Sequence, residues 1–153
     1  AGGFTAYLPE DERNYMTKRQ MESELVQLLG GRVAEALVLK DISTGAQNDI
    51  ERATKVARRM VTHYGMSDNL GPMTYGTDDE EIFVGRDLGR TRNYSEQVAA
   101  QIDKEMRSLI DKAYQTAEKL LSDNINKLHS VAQALLEKET LDEKEFTAAF
   151  EAA

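Results

Sequence analysis

The stretch that most constrains the fold is Ile42–Gly65, ISTGAQNDIERATKVARRMVTHYG. Ile50, Ala53, Ala57, Met60, Val61 and Tyr64 recur at the spacing of one helical face, and such a stripe needs an apolar surface to pack against. Ser43 and Thr44 precede it, and either hydroxyl can accept from the unpaired N–H groups of a first turn. Gly65 follows it as the left-handed residue that closes a helix. One carboxylate, Asp49, sits beside Ile50 and one turn ahead of Ala53. At the edge of a buried stripe a carboxylate has to be hydrated, paired or bound to a cation. By residue type and position alone, an aspartate in a first turn simply favours the positive end of the helix dipole.

The flanking segments carry the same helical period. Thr17 and Gln20 have capping-box spacing, and a helix is predicted from there to about Leu39. Its stripe is Met21, Leu25, Leu28, Leu29, Val33, Ala36 and Leu37. Gly30-Gly31 interrupts it at roughly 1 kcal/mol per glycine relative to alanine, and close approach by another helix is the expected reason. Ser95 caps a long helix with Val98, Ile102, Met106, Leu109, Ala113, Ala117, Leu120 and Leu121 on its apolar side. A shorter helix from Asn124 is expected to bury Leu128, Val131, Ala132 and Leu135. A last one, opened by a Thr140–Glu143 capping box, carries Leu141, Phe146, Ala149 and Phe150.

Strand signals are few. Gly3–Leu8, GFTAYL, is aromatic and β-branched and stops at Pro9; alternation puts Phe4, Ala6 and Leu8 on one face and Thr5 and Tyr7 on the other. A tail outside any element is the competing reading. The glycine-rich run from Met66 to Asn93 offers only MTY and EIFVG as short strands, and Asp78–Glu81 reads as a solvated turn. The predicted architecture is mainly α, bundle-like, with one or two short β-strands. It forms a single domain over residues 1–153, in which 1–93 and 94–153 are two halves.

The chain has 153 residues, 41% hydrophobic and 30% charged, with two prolines, which fits a folded, helix-rich domain rather than a disordered one. A net charge of −8 argues against nucleic acid, because phosphate binding needs a basic face. No apolar run approaches the roughly 18 residues of a membrane span, and no signal-peptide pattern is visible. With no cysteine, disulfides and thiolate metal sites are excluded.

The segment ISTGAQNDIERATKVARRMVTHYGMSDNLGP resembles the peptidase domain of the FtsH family, membrane-anchored, ATP-dependent zinc metalloproteases. GGFTAYLPEDERNYMTKRQ, LLGGRVAEALV and EEIFVGRD follow that family in order, so the resemblance covers nearly the whole chain. It implies a zinc held by two histidines of an H-E-x-x-H helix and by the aspartate matching Asn48-Asp49. Asp49 is then the third zinc ligand of the intact enzyme, with Asn48 next to it and the motif's glutamate as general base. Glu35 matches the first acid of the family's A-E-E, where it would hold a ligand histidine in orientation; a solvated glutamate is the alternative. The second acid is Ala36 here. Phe4, Thr5, Ala6 and Tyr7 match an edge strand beside the zinc, suited to pairing with an extended substrate backbone.

The sequence departs from the family in one large respect. Its two histidines, His63 and His129, are followed by Tyr64 and Ser130, and neither opens an H-E-x-x-H motif. The zinc helix is therefore expected upstream of Ala1, which makes this an N-terminally incomplete peptidase domain with no catalytic residue of its own. It is expected to be inactive alone, with an empty metal site. The intact protein is expected to be a homo-hexamer that degrades unfolded or membrane polypeptides. ATP and magnesium would sit on an ATPase domain outside this chain, and membrane attachment would come only from anchor segments outside it. The implied location is the cytoplasmic face of a bacterial inner membrane or its organellar equivalent. The alternative is a non-catalytic helical assembly or scaffold module, a pseudo-peptidase homologue.

Overall fold

Thr17 opens the first helix as its sequence promises. Its hydroxyl accepts from the Gln20 N–H at 3.1 Å, and the Gln20 side chain accepts from the Thr17 N–H at 2.8 Å. In this computed structural model, residue 6 and residues 15–76 and 93–153 are described. Helix α1 spans Lys18–Val38, α2 Gln47–Thr62, α3 Glu96–Asp123, α4 Ile125–Lys138 and α5 Glu143–Glu151. The protein is mainly helical, as its periodicity requires. Of the strand candidates, EIFVG in the irregular region lies outside the described residues, as does the N-terminal GFTAYL apart from an exposed Ala6.

MTY is not a strand. Residues 73–75 are irregular, and the Tyr75 N–H donates to the Thr62 carbonyl at 2.8 Å, so this segment satisfies the end of α2 rather than a neighbouring strand. The Tyr75 hydroxyl donates back to the Leu70 carbonyl at 3.1 Å.

Helices α1, α2 and α3 pack into one core. Met21, Leu25, Leu28 and Leu29 of α1 meet Ala53, Ala57, Met60 and Val61 of α2 and Ile102, Met106 and Ala113 of α3. Alanines at 53, 57 and 113 let the backbones approach, and the larger side chains fill the spaces between them. Leu25, Val33, Met60 and Val61 are fully buried. Each contributes about 1.5–3 kcal/mol relative to an exposed side chain. The expected stripes hold in the middle of α1 and α2, whereas Ala36, Leu37 and Ile50 are only half-buried and Tyr64 leaves the stripe. Tyr64 is half exposed, because the helix ends at Thr62 and the chain leaves its axis; the ring instead meets His63 edge to face, with centroids 5.0 Å apart.

Gly65 closes α2 at φ +60°, and the Met66 N–H donates to the Met60 carbonyl at 2.9 Å. A β-carbon there would lie 2.8 Å from Pro72 Cα. Two demands, a left-handed backbone and contact with the returning chain, thus meet at one glycine.

Helices α4 and α5 form a hairpin beyond this core. Asn124 ends α3, and its amide Nδ2 donates to the Leu120 carbonyl at 2.8 Å. No residue of α4 or α5 is fully buried. The expectation that α4 buries Leu128, Val131, Ala132 and Leu135 therefore needs correction: Leu128 and Val131 are half-buried, and Ala132 and Leu135 are exposed. The capping box also shifts. Asp142 and Glu145 form it, not Thr140 and Glu143, because Glu139 turns at φ +64° and the Thr140 N–H is taken by the Lys138 carbonyl.

Candidate metal centre

The approach to α2 differs in detail from a simple Ser/Thr cap. Ser43 caps a 3-10 turn over Thr44–Ala46, accepting from the Gly45 N–H at 3.1 Å. Helix α2 then starts at Gln47 behind Ala46, with no side-chain cap of its own. Asp49 falls in the first turn, where its charge suits the positive end of the helix dipole. Its side chain is half-buried, and among the described residues no hydrogen bond or ion pair engages it. Asn48 beside it is exposed.

Glu35 faces this turn from α1. Its Oε2 accepts from the Ser43 N–H at 2.8 Å, and its Oε1 accepts from the Ser43 hydroxyl at 3.0 Å. Arg32, on the same helical face, donates from Nη2 to the Ser43 carbonyl at 3.1 Å. All the polar groups of Ser43 are thereby engaged. Arg32 Nε is buried and finds no acceptor among the described residues. Glu35 is therefore not merely solvated, and its partner among the described residues is the loop before α2.

The histidines stand elsewhere. His63 follows the last turn of α2, at the opposite end from Asp49, and is exposed; His129 is exposed on α4. Gly30 and Gly31 face open space, with nothing within 4 Å of an added β-carbon, so among the described residues no helix approaches them. Of the expected substrate residues, only Ala6 is described.

A zinc ion fits these residues at one corner only. Asp49 offers an oxygen donor that no other group occupies, but no group of three His, Asp or Glu side chains able to hold a metal occurs among the described residues. Structural and catalytic zinc both need at least three protein ligands. The other donors would have to come from outside them.

The sequence profile of peptidase family M41 matches residues 1–149, and the chain belongs to that family. It is 65% identical over 150 residues to ATP-dependent zinc metalloprotease FtsH 1 of Thermoanaerobacter sp. (strain X514), covering 98% of this chain and 24% of that protein. A relative from Caldicellulosiruptor bescii, ATP-dependent zinc metalloprotease FtsH, is 63% identical over 146 residues, or 95% of this chain and 24% of that protein. The protein of the same name from Ruminiclostridium cellulolyticum is 47% identical over all 153 residues, a quarter (25%) of its length. The chain thus spans about a quarter of the length of these relatives. None of the described helices is long and apolar enough to cross a membrane.

Reasoning from sequence missed Ser43 and Arg32 as partners of Glu35. Arg32 and Glu35 are three apart on one helix, a visible signal. The eight-residue reach from Glu35 to Ser43 crosses a helix end and has no periodic signature.

Proposed function

We propose that this chain is part of an ATP-dependent zinc metalloendopeptidase, in which the Asp49 carboxylate supplies one zinc ligand. The observation that carries this is a half-buried carboxylate without a partner among the described residues, within a family match over residues 1–149. Zinc bound there would act as a Lewis acid on a scissile carbonyl. Within the chain, α2 holds the carboxylate in its first turn, and the α1–α2 packing sets where that turn lies. The imidazole ligands and the general base belong to an H-E-x-x-H motif, which this sequence does not contain. On this reading the 153-residue chain alone cleaves no peptide and binds zinc weakly. Roles for Asn48 beside the ligand, and for Phe4, Thr5, Ala6 and Tyr7 in pairing with a substrate backbone, belong to the same proposal. So do hexameric assembly, attachment to a membrane and ATP-driven feeding of unfolded polypeptides.

The test is Asp49→Ala in the full-length protease. Loss of bound zinc and of casein cleavage, with ATP hydrolysis retained, is the expected result. Unchanged zinc content would refute the ligand assignment. A full-length protein that neither binds zinc nor cleaves casein before mutation would favour the non-catalytic scaffold.

A further inference from the structure

We propose that Ser43 is a positioning residue for Asp49, held by Glu35 and Arg32 of α1 as a latch that fixes the start of α2. The inference rests on the reading of Asp49 as a metal ligand and adds what places its carboxylate.

Helix α2 needs such a device. It has no side-chain cap of its own and continues directly from the 3-10 turn, whose Thr44 carbonyl accepts from the Gln47 N–H, so its first turn is ordered through that turn and the Ser43 that caps it. The first N–H groups of a helical segment fray unless a group ahead of it engages them, and here the 3-10 turn and its Ser43 cap do so. Ser43 and the 3-10 turn after it are the covalent lead into that turn, and every polar group of Ser43 is committed. Its N–H and hydroxyl donate to the two oxygens of Glu35 at 2.8 and 3.0 Å. Its carbonyl accepts from Arg32 Nη2 at 3.1 Å, and its Oγ accepts from the Gly45 N–H at 3.1 Å. A two-oxygen carboxylate grip on one residue restrains direction as well as distance, and hydrogen bonds to a charged group are the stronger kind. The turn is also tight: a β-carbon on Gly45 would lie 3.3 Å from Ser43 Oγ and 3.6 Å from Glu35 Oε1.

The latch joins the second half of α1 to the N-terminus of α2 beside Ala46, the buried residue of the 3-10 turn. The buried side chains of α2 are Ala53, Ala57, Met60 and Val61, all downstream of Asp49. Packing of these side chains fixes the body of α2; at its beginning Ala46 is buried, and the Ser43 contacts add a directional restraint. Outer partners of metal ligands commonly change metal affinity by about 10–100-fold when removed.

Two measurements test this. In the 153-residue chain, Ser43→Ala should speed amide exchange at residues 45–50 by about tenfold or more, with core amides of α1 and α3 unchanged and Ser43→Thr restoring protection. Equal acceleration throughout the core, or none at 45–50, would overturn the latch. In the full-length protease, Ser43→Ala should weaken zinc binding about tenfold, Ser43→Thr much less, with ATP hydrolysis unaltered. If Asp49→Ala abolishes zinc binding while Ser43→Ala leaves it unchanged, the positioning role fails and the ligand reading stands. If Asp49→Ala keeps its zinc, the ligand reading fails, and the exchange measurement still decides whether the latch orders α2.

Discussion

The three-helix unit α1–α3 and the α4–α5 hairpin are built from similar residues but held by different forces. In the first, Met60 and Leu25 are completely buried, and three helices close around them. In the second, Leu136 is 79% exposed and Phe146 47%, and three polar contacts join the two helices. Lys138 donates to Glu145 at 2.7 Å, the Ser130 hydroxyl to the Ala149 carbonyl at 2.5 Å, and Lys127 to the Phe150 carbonyl at 2.9 Å. The Lys127 ammonium also lies 4.3 Å from the centre of the Phe150 ring. Two helices cannot enclose an apolar interior, so the hairpin leaves its apolar residues half wet and adds directional bonds to their contact. The lesson is that an amphipathic stripe predicts a helix in both places but burial in only one.

Four changes would break or sharpen this contrast. Met60→Ala, in the enclosed core, should cost about 2–5 kcal/mol of unfolding free energy by chemical denaturation, while Leu136→Ala in the hairpin should stay within about 0.5 kcal/mol. Equal costs would erase the distinction. Gly65→Ala should cost about 1–2 kcal/mol from its left-handed backbone alone, and more from the contact with Pro72, read as a lowered melting temperature. In the hairpin the backbone effect has the opposite sign. Glu139 holds φ +64° without being glycine, so Glu139→Gly should stabilise by about 0.5–1 kcal/mol, seen as slower amide exchange in α4.

The smallest effect is a pH dependence confined to the hairpin. The hydrogen bond from Lys138 holds the Glu145 carboxyl below its ordinary value of 4.5, so its contribution is present above 4.5 and lost as pH falls through the lower folded value. The same bond raises Lys138 above 10.5, so that contribution is present below 10.5 and lost as pH rises through the higher folded value. Lys138 is exposed and Glu145 only half-buried, so salt should weaken the effect. Amide shifts of α5 followed by NMR should move at the two extremes before those of α1–α3, and uniform movement would contradict the division.

Much of the fold was legible. The Thr17 and Ser95 caps, the Gly65 closure and the spans of α1 and α3 follow from local chemistry, since caps and periodicity act within a few residues. Tyr64 was misplaced because periodicity continued past the residue where the helix stopped. The late capping box was missed because the left-handed turn at Glu139 has no glycine to announce it. Leu135 was misread because a stripe does not say whether a third element comes to cover it. At the candidate site, Asp49 and Glu35 were visible through family resemblance, whereas the partner that Glu35 holds was not.

The sequence by itself determined which segments are helical, where α1 and α3 are capped, and that one carboxylate stands in the first turn of α2. Those outcomes depend on neighbours within one or two turns. Only the tertiary structure decided that α3 closes the core over α1 and α2, that α4 and α5 stay half exposed, and that Glu35 and Arg32 grip Ser43. Each of these depends on groups brought together across a helix end or between helices, and no local pattern encodes that distance.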